Sequence, residues 1–235
     1  MAVVLMNATA MAAVDISTTV GSSAPSANVT LSVSTLNYTP NASNTIGYGW
    51  KGDTRRDIGQ SFTTTSAFTL DKITLQVQFV GSAAPGASYS LSLYQFPSSS
   101  SLVASSTLGT WNGTLPDATT LVPAGYSFNS GAVGPFLTFD IPDIALSSGV
   151  TYGFVLSFAS LSSSESMNFW VKGGGYYANG QEIETGTVGS TTFTNSGGND
   201  LLFYIQSVPE PSAHALISVS AMLVPAWFML RKKQP

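Results

Sequence analysis

The side chains able to do chemistry are few, and their types set narrow limits. The chain has 235 residues, one histidine and no cysteine. It therefore offers no thiolate nucleophile, no disulfide framework, no iron–sulfur cluster and no thiolate zinc site. A Ser–His–Asp triad would have to use His214, which sits in an apolar C-terminal stretch rather than in the body. Two carboxylate pairs have the residue types for glycoside hydrolysis, Asp140/Asp143 and Glu182/Glu184. The first flanks Ile141-Pro142 and reads as a strand-end turn. The second shares a face if extended, with its members about 7 Å apart as i, i+2 neighbours. Both pairs read as solvated turns. No D-x-D-x-D-G loop is present to suggest calcium ligands, so no metal and no cofactor is expected. Lys and Arg number 8 against 12 Asp and Glu, which lacks the basic stripe a nucleic-acid partner requires.

Binding chemistry has more material. Gly47-Tyr48-Gly49-Trp50-Lys51-Gly52 fits G-x-G-x-x-G, but a dinucleotide site needs a buried strand before it and a helix after it. A polar stretch precedes it and strand-like residues follow, so it reads as a glycine-rich loop. That loop runs into Lys51, Asp53, Arg55, Arg56 and Asp57, a solvated or mutually paired cluster on the simplest reading. The sharper alternative is a saccharide contact, with Tyr48 and Trp50 stacking beside Arg55. A second aromatic loop spans 173–180 and carries Tyr176 and Tyr177. Trp170 falls on the polar side of its strand by alternation, and Trp111 lies among Gly and Asn as in a loop. Tyr48, Trp50, Arg55, Trp170, Tyr176 and Tyr177 are thus the candidate glycan contacts. The bland alternative is that these rings cover the ends of the fold. Asn28, Asn37, Asn41 and Asn112 open N-x-S/T triplets, which in a chain with 35 Ser and 25 Thr are a matter of composition.

The elements that must position these residues are strands. Ile73, Leu75, Val77 and Phe79 alternate with Thr74, Gln76 and Gln78. Tyr89, Leu91 and Leu93 alternate with serines. Val150, Tyr152, Phe154, Leu156 and Phe158 form the longest run, and Met167, Phe169 and Val171 alternate with Asn168, Trp170 and Lys172. Leu201 to Gln206 is a final strand. Val29–Leu36, Ile58–Thr64, Leu102–Leu108 and Phe136–Ile141 are further candidates. Such alternation gives each sheet a core face and a Ser/Thr/Gln-rich outer face. Turn clusters such as Phe96-Pro97-Ser98-Ser99 and Ser147-Ser148-Gly149 separate the strands. With no amphipathic helix in the body, the pattern predicts an all-β, two-sheet antiparallel β-sandwich of jelly-roll type.

Both ends read as appendages. Residues 1–13 are apolar, and Ala10-Met11-Ala12 fits the small-x-small pattern of a signal peptidase site, so they read as a partial signal peptide. Residues 14–45 form a polar leader and a first edge strand, and 46–206 form the sandwich. In 207–235, Pro209-Glu210-Pro211 precedes an apolar run over 213–230 and then Arg231-Lys232-Lys233. Eighteen residues as a helix reach about 27 Å, enough to cross the hydrocarbon core as a single transmembrane helix. Cations at one end only place that end in the cytoplasm and the body outside. The two prolines hold the motif as extended backbone just outside the membrane.

Pro-Glu-Pro, one hydrophobic helix and a short basic cluster together resemble the PEP-CTERM sorting signal. The resemblance covers the last 27 to 29 residues and implies an exosortase partner, a membrane cysteine transpeptidase-like enzyme. It implies processing near Pro209-Glu210-Pro211 after a transient stay in the inner membrane. The body would then pass to the surface or extracellular matrix of an exopolysaccharide-producing bacterium. In the body, Gln60-Ser61-Phe62 with Leu70–Leu75, and Phe139–Pro142 with Leu146–Tyr152, resemble the choice-of-anchor extracellular domains, nearest the R type. That resemblance implies a jelly-roll-like fold and an extracellular location, and adds no reaction.

Charge divides along the same line. Only 9% of residues are charged, and the net charge is −4. Residues 14–208 hold 11 acidic and 5 basic groups, whereas 209–235 hold 1 acidic and 3 basic. The expectation is a non-enzymatic, exported cargo with hydroxyl- and amide-rich faces, carried by a basic address. Extracellular polysaccharide is its expected partner. The alternatives are a carbohydrate-binding module using exposed aromatics and, less favoured, a glycan-active enzyme.

Overall fold

The computed structural model describes residues 14–33, 57–81, 84–122, 135–158, 167–173, 175, 177–187, 189–195 and 198–209. Fourteen strands and one helical turn, α1 (Ala118–Leu121), make up its regular structure. The first sheet runs, edge to edge, β1 (Val14–Asp15), β7 (Ser106–Thr114), β6 (Ser88–Phe96), β9 (Thr151–Ser157), β4 (Asp57–Thr63) and β12 (Glu182–Thr185). The second runs β2 (Ser17–Gly21), β8 (Phe136–Leu146), β5 (Phe68–Val80), β14 (Phe203–Ser207) and β3 (Val29–Val33), with β10 (Met167–Phe169) also paired to β5. A short ribbon joins β11 (Val171–Lys172) to β13 (Asp200–Leu201). All of these pairings are antiparallel except β1 with β7, which is parallel.

Apolar side chains from both sheets meet in one core. Tyr89, Leu91 and Leu93 of the first sheet and Ile73, Leu75 and Phe139 of the second are buried in it together. Aromatic rings cross the interface: Phe203 lies 6.4 Å from Phe62 and 5.7 Å from Phe154, and Tyr89 lies 5.2 Å from Phe139, edge-on. This face-to-face arrangement is a β-sandwich, built from alternation as expected. Burying these large rings is the main favourable term in the fold.

Four local expectations are corrected. The strand expected over Leu102–Leu108 is instead Ser106–Thr114, so Trp111 is a buried strand residue and not a loop residue. Gly109 and Gly113 look like loop residues but make room: a Cβ on Gly113 would run into the Tyr89 hydroxyl, and one on Gly109 into the Trp111 ring. Second, Glu182 and Glu184 lie in a strand paired with β4, and Glu182 is fully buried. Third, Asp140 lies within β8 rather than in a turn after it. The β5–β8 register slips between Leu70 and Lys72, where Pro142 has no N–H to give a ladder. Fourth, β3 is an edge strand as expected, but the leader before it also adds strands: β1 edges the first sheet, and β2 is the other edge of the second.

No helix among the described residues is long and apolar enough to cross a membrane. The expected span over 213–230 and the expected signal over 1–13 lie outside the described residues.

Candidate functional site

Three of the sequence-derived site residues fall among the described ones. Trp170 follows β10, where its backbone N–H donates to Gln76 O at 2.9 Å and its carbonyl accepts from Leu202 N at 2.9 Å. It is only 4% exposed. The outward face expected of it is covered, since the neighbouring Gln76 is also fully buried. Tyr177 is half-buried, with its ring edge-on to Phe203 at 6.0 Å. Burial pushes its hydroxyl up to about 12. Neither ring is a free stacking platform. Pro209 is exposed, just beyond Val208, whose N–H donates to Thr69 O at 2.9 Å. Tyr48, Trp50, Arg55, Tyr176, Glu210, Pro211, Arg231, Lys232 and Lys233 lie outside the described residues, as does His214.

The carboxylates are engaged in structure. Asp140 pairs with Lys72 Nζ at 2.7 Å, and the same ammonium reaches Asp71 at 3.2 Å. The Asp140 hydrogen bond holds the Lys72 ammonium above its usual range. Asp57 accepts from Ser157 Oγ at 2.8 Å. Asp200, buried at the end of the sandwich, accepts from Gln60 Nε2 at 2.9 Å and from the Tyr177 N–H at 2.8 Å. Gln60 Oε1 in turn accepts from Leu201 N at 2.9 Å. Gln60, Asp200 and Leu201 thereby tie β4 to β13, a role that the strand pattern alone did not disclose. Among the described residues, no group of three or more His, Cys, Asp or Glu is placed to hold a metal ion.

The outer face of the first sheet is divided in two. Its apolar half, with Tyr94, Phe96, Val155 and Ile183, is capped by Phe193. That ring stands 5.3 Å from Tyr94 and 5.7 Å from Phe96. The capping segment is fastened by Phe193 N to Leu102 O at 2.8 Å and by the Glu184–Thr194 bridge. Its polar half lies across β1, β7 and β6. Here Asp15 sits opposite Asn112, Asn112 opposite Ser90, Ser88 opposite Thr114 and Ser92 opposite Thr110. Ser90 Oγ donates to Asn112 Oδ1 at 2.8 Å, and the Ser92 and Thr110 hydroxyls meet at 2.9 Å. A cleft of about 550 Å³ opens beside this half, where the chain crosses from β1 to β2. Asp15, Ser17, Ser88, Ser90, Asn112 and Thr114 supply its polar lining. The Thr18 and Tyr89 hydroxyls are hydrogen-bonded at its inner wall.

No family model and no curated protein matches the chain. Among solved structures, it is similar to the crystal structure of the cysteine protease and lectin-like domains of Cwp84, a surface layer associated protein of Clostridium difficile, with 10% identity and a TM-score of 0.39. The match covers 72% of this chain and 37% of that one, so this chain spans well under half the length of the structure it matches.

Proposed function

We propose that the chain is an exported, non-enzymatic surface or matrix protein, delivered by an exosortase that reads its C-terminal tail. The β-sandwich is the cargo, and 207–235 is the address. One observation carries this reading: the last strand among the described residues ends just before the motif. β14 ends at Ser207, Val208 makes a last backbone bond to Thr69, and Pro209 stands exposed. A processing enzyme can therefore reach Pro209 without unfolding β14. Proline at both ends of the tripeptide keeps it out of a helix or a ladder. The sparse charge and hydroxyl-rich faces of the body suit a hydrated polysaccharide matrix.

The carbohydrate-module alternative, as built on exposed aromatics, loses Trp170 to the core and half of Tyr177. The test of the sorting proposal is to follow a body-tagged copy with and without residues 209–211. Deletion is expected to abolish tail processing and hold the protein in the inner membrane. Unchanged release to the surface defeats the proposal.

A further inference from the structure

We infer that the polar half of the first sheet's outer face binds a glycan that carries no acid groups. This deepens the matrix role proposed above and rests on it for the source of the glycan. The fold leaves this half of the face open. Where the outer face is apolar, residues 190–194 cross it and Phe193 plugs it; where it is polar, across β1, β7 and β6, a cleft of about 550 Å³ remains. That volume is within the usual range of about 300–1,000 Å³ for small-ligand sites.

The polar groups are also regularly spaced. Asp15, Asn112 and Ser90 stand opposite one another on three adjacent strands. The Ser88–Thr114 and Ser92–Thr110 pairs form parallel rows on either side. Rows of donors and acceptors repeat across the strands about every 4.8 Å, close to the repeat of an extended chain of pyranose rings. Asn112 Oδ1 already accepts from Ser90, which orients the amide and leaves its N–H donors for a ligand hydroxyl.

Charge narrows the ligand further. The cleft is lined by one carboxylate, Asp15, and by no lysine or arginine. A polyuronate or sulfated polymer would meet repulsion with no compensating cation, whereas a neutral or amino sugar meets none. A single carboxylate also fits binding better than hydrolysis, which uses two.

The test uses the full-length chain in detergent, titrated calorimetrically with cellohexaose, glucosamine hexamer and a hexa-uronate. Binding of either of the first two and none of the third is expected. The Ser88→Ala/Ser90→Ala/Asn112→Ala variant should weaken binding about tenfold or more. Ser88→Ala/Thr114→Ala changes only exposed side chains and should weaken it severalfold with an unaltered circular dichroism spectrum. Thr19→Ala on the second sheet should change nothing. Absence of binding to both non-acidic hexamers, preference for the hexa-uronate, or full affinity in the Ser88/Thr114 variant overturns the inference. Sorting of the same chain is read separately by the tail deletion, so either proposal can fail alone.

Discussion

Gln60→Ala should cost about 3–5 kcal/mol of stability, although Gln60 carries no charge. The side chain is fully buried. Its Nε2 donates to Asp200 Oδ1 at 2.9 Å, and its Oε1 accepts from Leu201 N at 2.9 Å. A hydrogen bond to a charged group is worth about 1.5–3 kcal/mol, and a buried N–H left without an acceptor costs about 1–3 kcal/mol. Their sum is a large part of the roughly 5–15 kcal/mol that holds a domain together. Urea unfolding followed by fluorescence reads the loss directly, because Trp111 and Trp170 are both buried. Gln60→Glu separates hydrogen bonding from packing. It preserves size, and one oxygen still accepts from Leu201, but the other faces the Asp200 carboxylate. Like charges raise the new carboxyl's pKa in the folded state. The folded variant then binds a proton more readily than the unfolded chain, so its deficit against the parent shrinks as pH falls from about 7 toward 4.5. A loss below about 1 kcal/mol for Gln60→Ala, or a Gln60→Glu deficit flat across that pH range, would refute the reasoning.

Two other substitutions bear on the aromatic residues. Burial holds the Tyr177 hydroxyl up to about 12, against about 10 in an unfolded chain. Its contribution is complete below the unfolded value and is lost as pH rises from there to the folded one. After discounting for partial exposure, that is about 1–2 kcal/mol. Tyr177→Phe should flatten the decline of thermal stability over that interval; Tyr89 and Tyr94, also raised by burial, retain their share. Trp170→Ala should cost about 3–5 kcal/mol, as for other large core truncations. A stable Trp170→Ala protein with altered polysaccharide pull-down would instead return Trp170 to the surface.

Alternation is most legible where a strand keeps one wet face, as β6 does. Leu91 and Leu93 go inward and Ser90 stays partly outside, so β6 follows its alternation. The pattern becomes mute where both faces are dry. Thr74 and Gln76 are fully buried despite being polar, and Phe136 and Tyr204 share their face. Trp170 departs from its pattern for the same reason: alternation gives the face, not what lies over it. β2 carries little signal because Ile16 and Val20 are the only large apolar residues between Asp15 and Gly21, and both are only partly buried. Gln60 occupies an inward position between Ile58 and Phe62, yet only the tertiary fold brings Asp200 to it, 140 residues away.

The edge strands of this lightly charged sandwich carry features that oppose edge-to-edge pairing. An exposed flat edge invites pairing with another chain, and charge is the commonest guard against it. Here the guards are of other kinds. β1 covers β7 only at Trp111 and Asn112. The rest of β7 carries one extra residue: Leu93 faces Gly109 and Tyr94 faces Thr107, so Leu108 is unmatched. A bulge of this kind twists an edge out of register with a straight partner. It also accounts for Leu108 being 38% exposed, one of two large exposed hydrophobic residues among those described. At the opposite edge β12 is only four residues long, and Thr194 bridges to it at Glu184. The second sheet is bounded by β2 and β3, five residues each. Short strands, a bulge and a crossing segment do here what a row of lysines does elsewhere. The outer faces are thereby free to carry hydroxyls and amides, which suit a glycan better than dense charge.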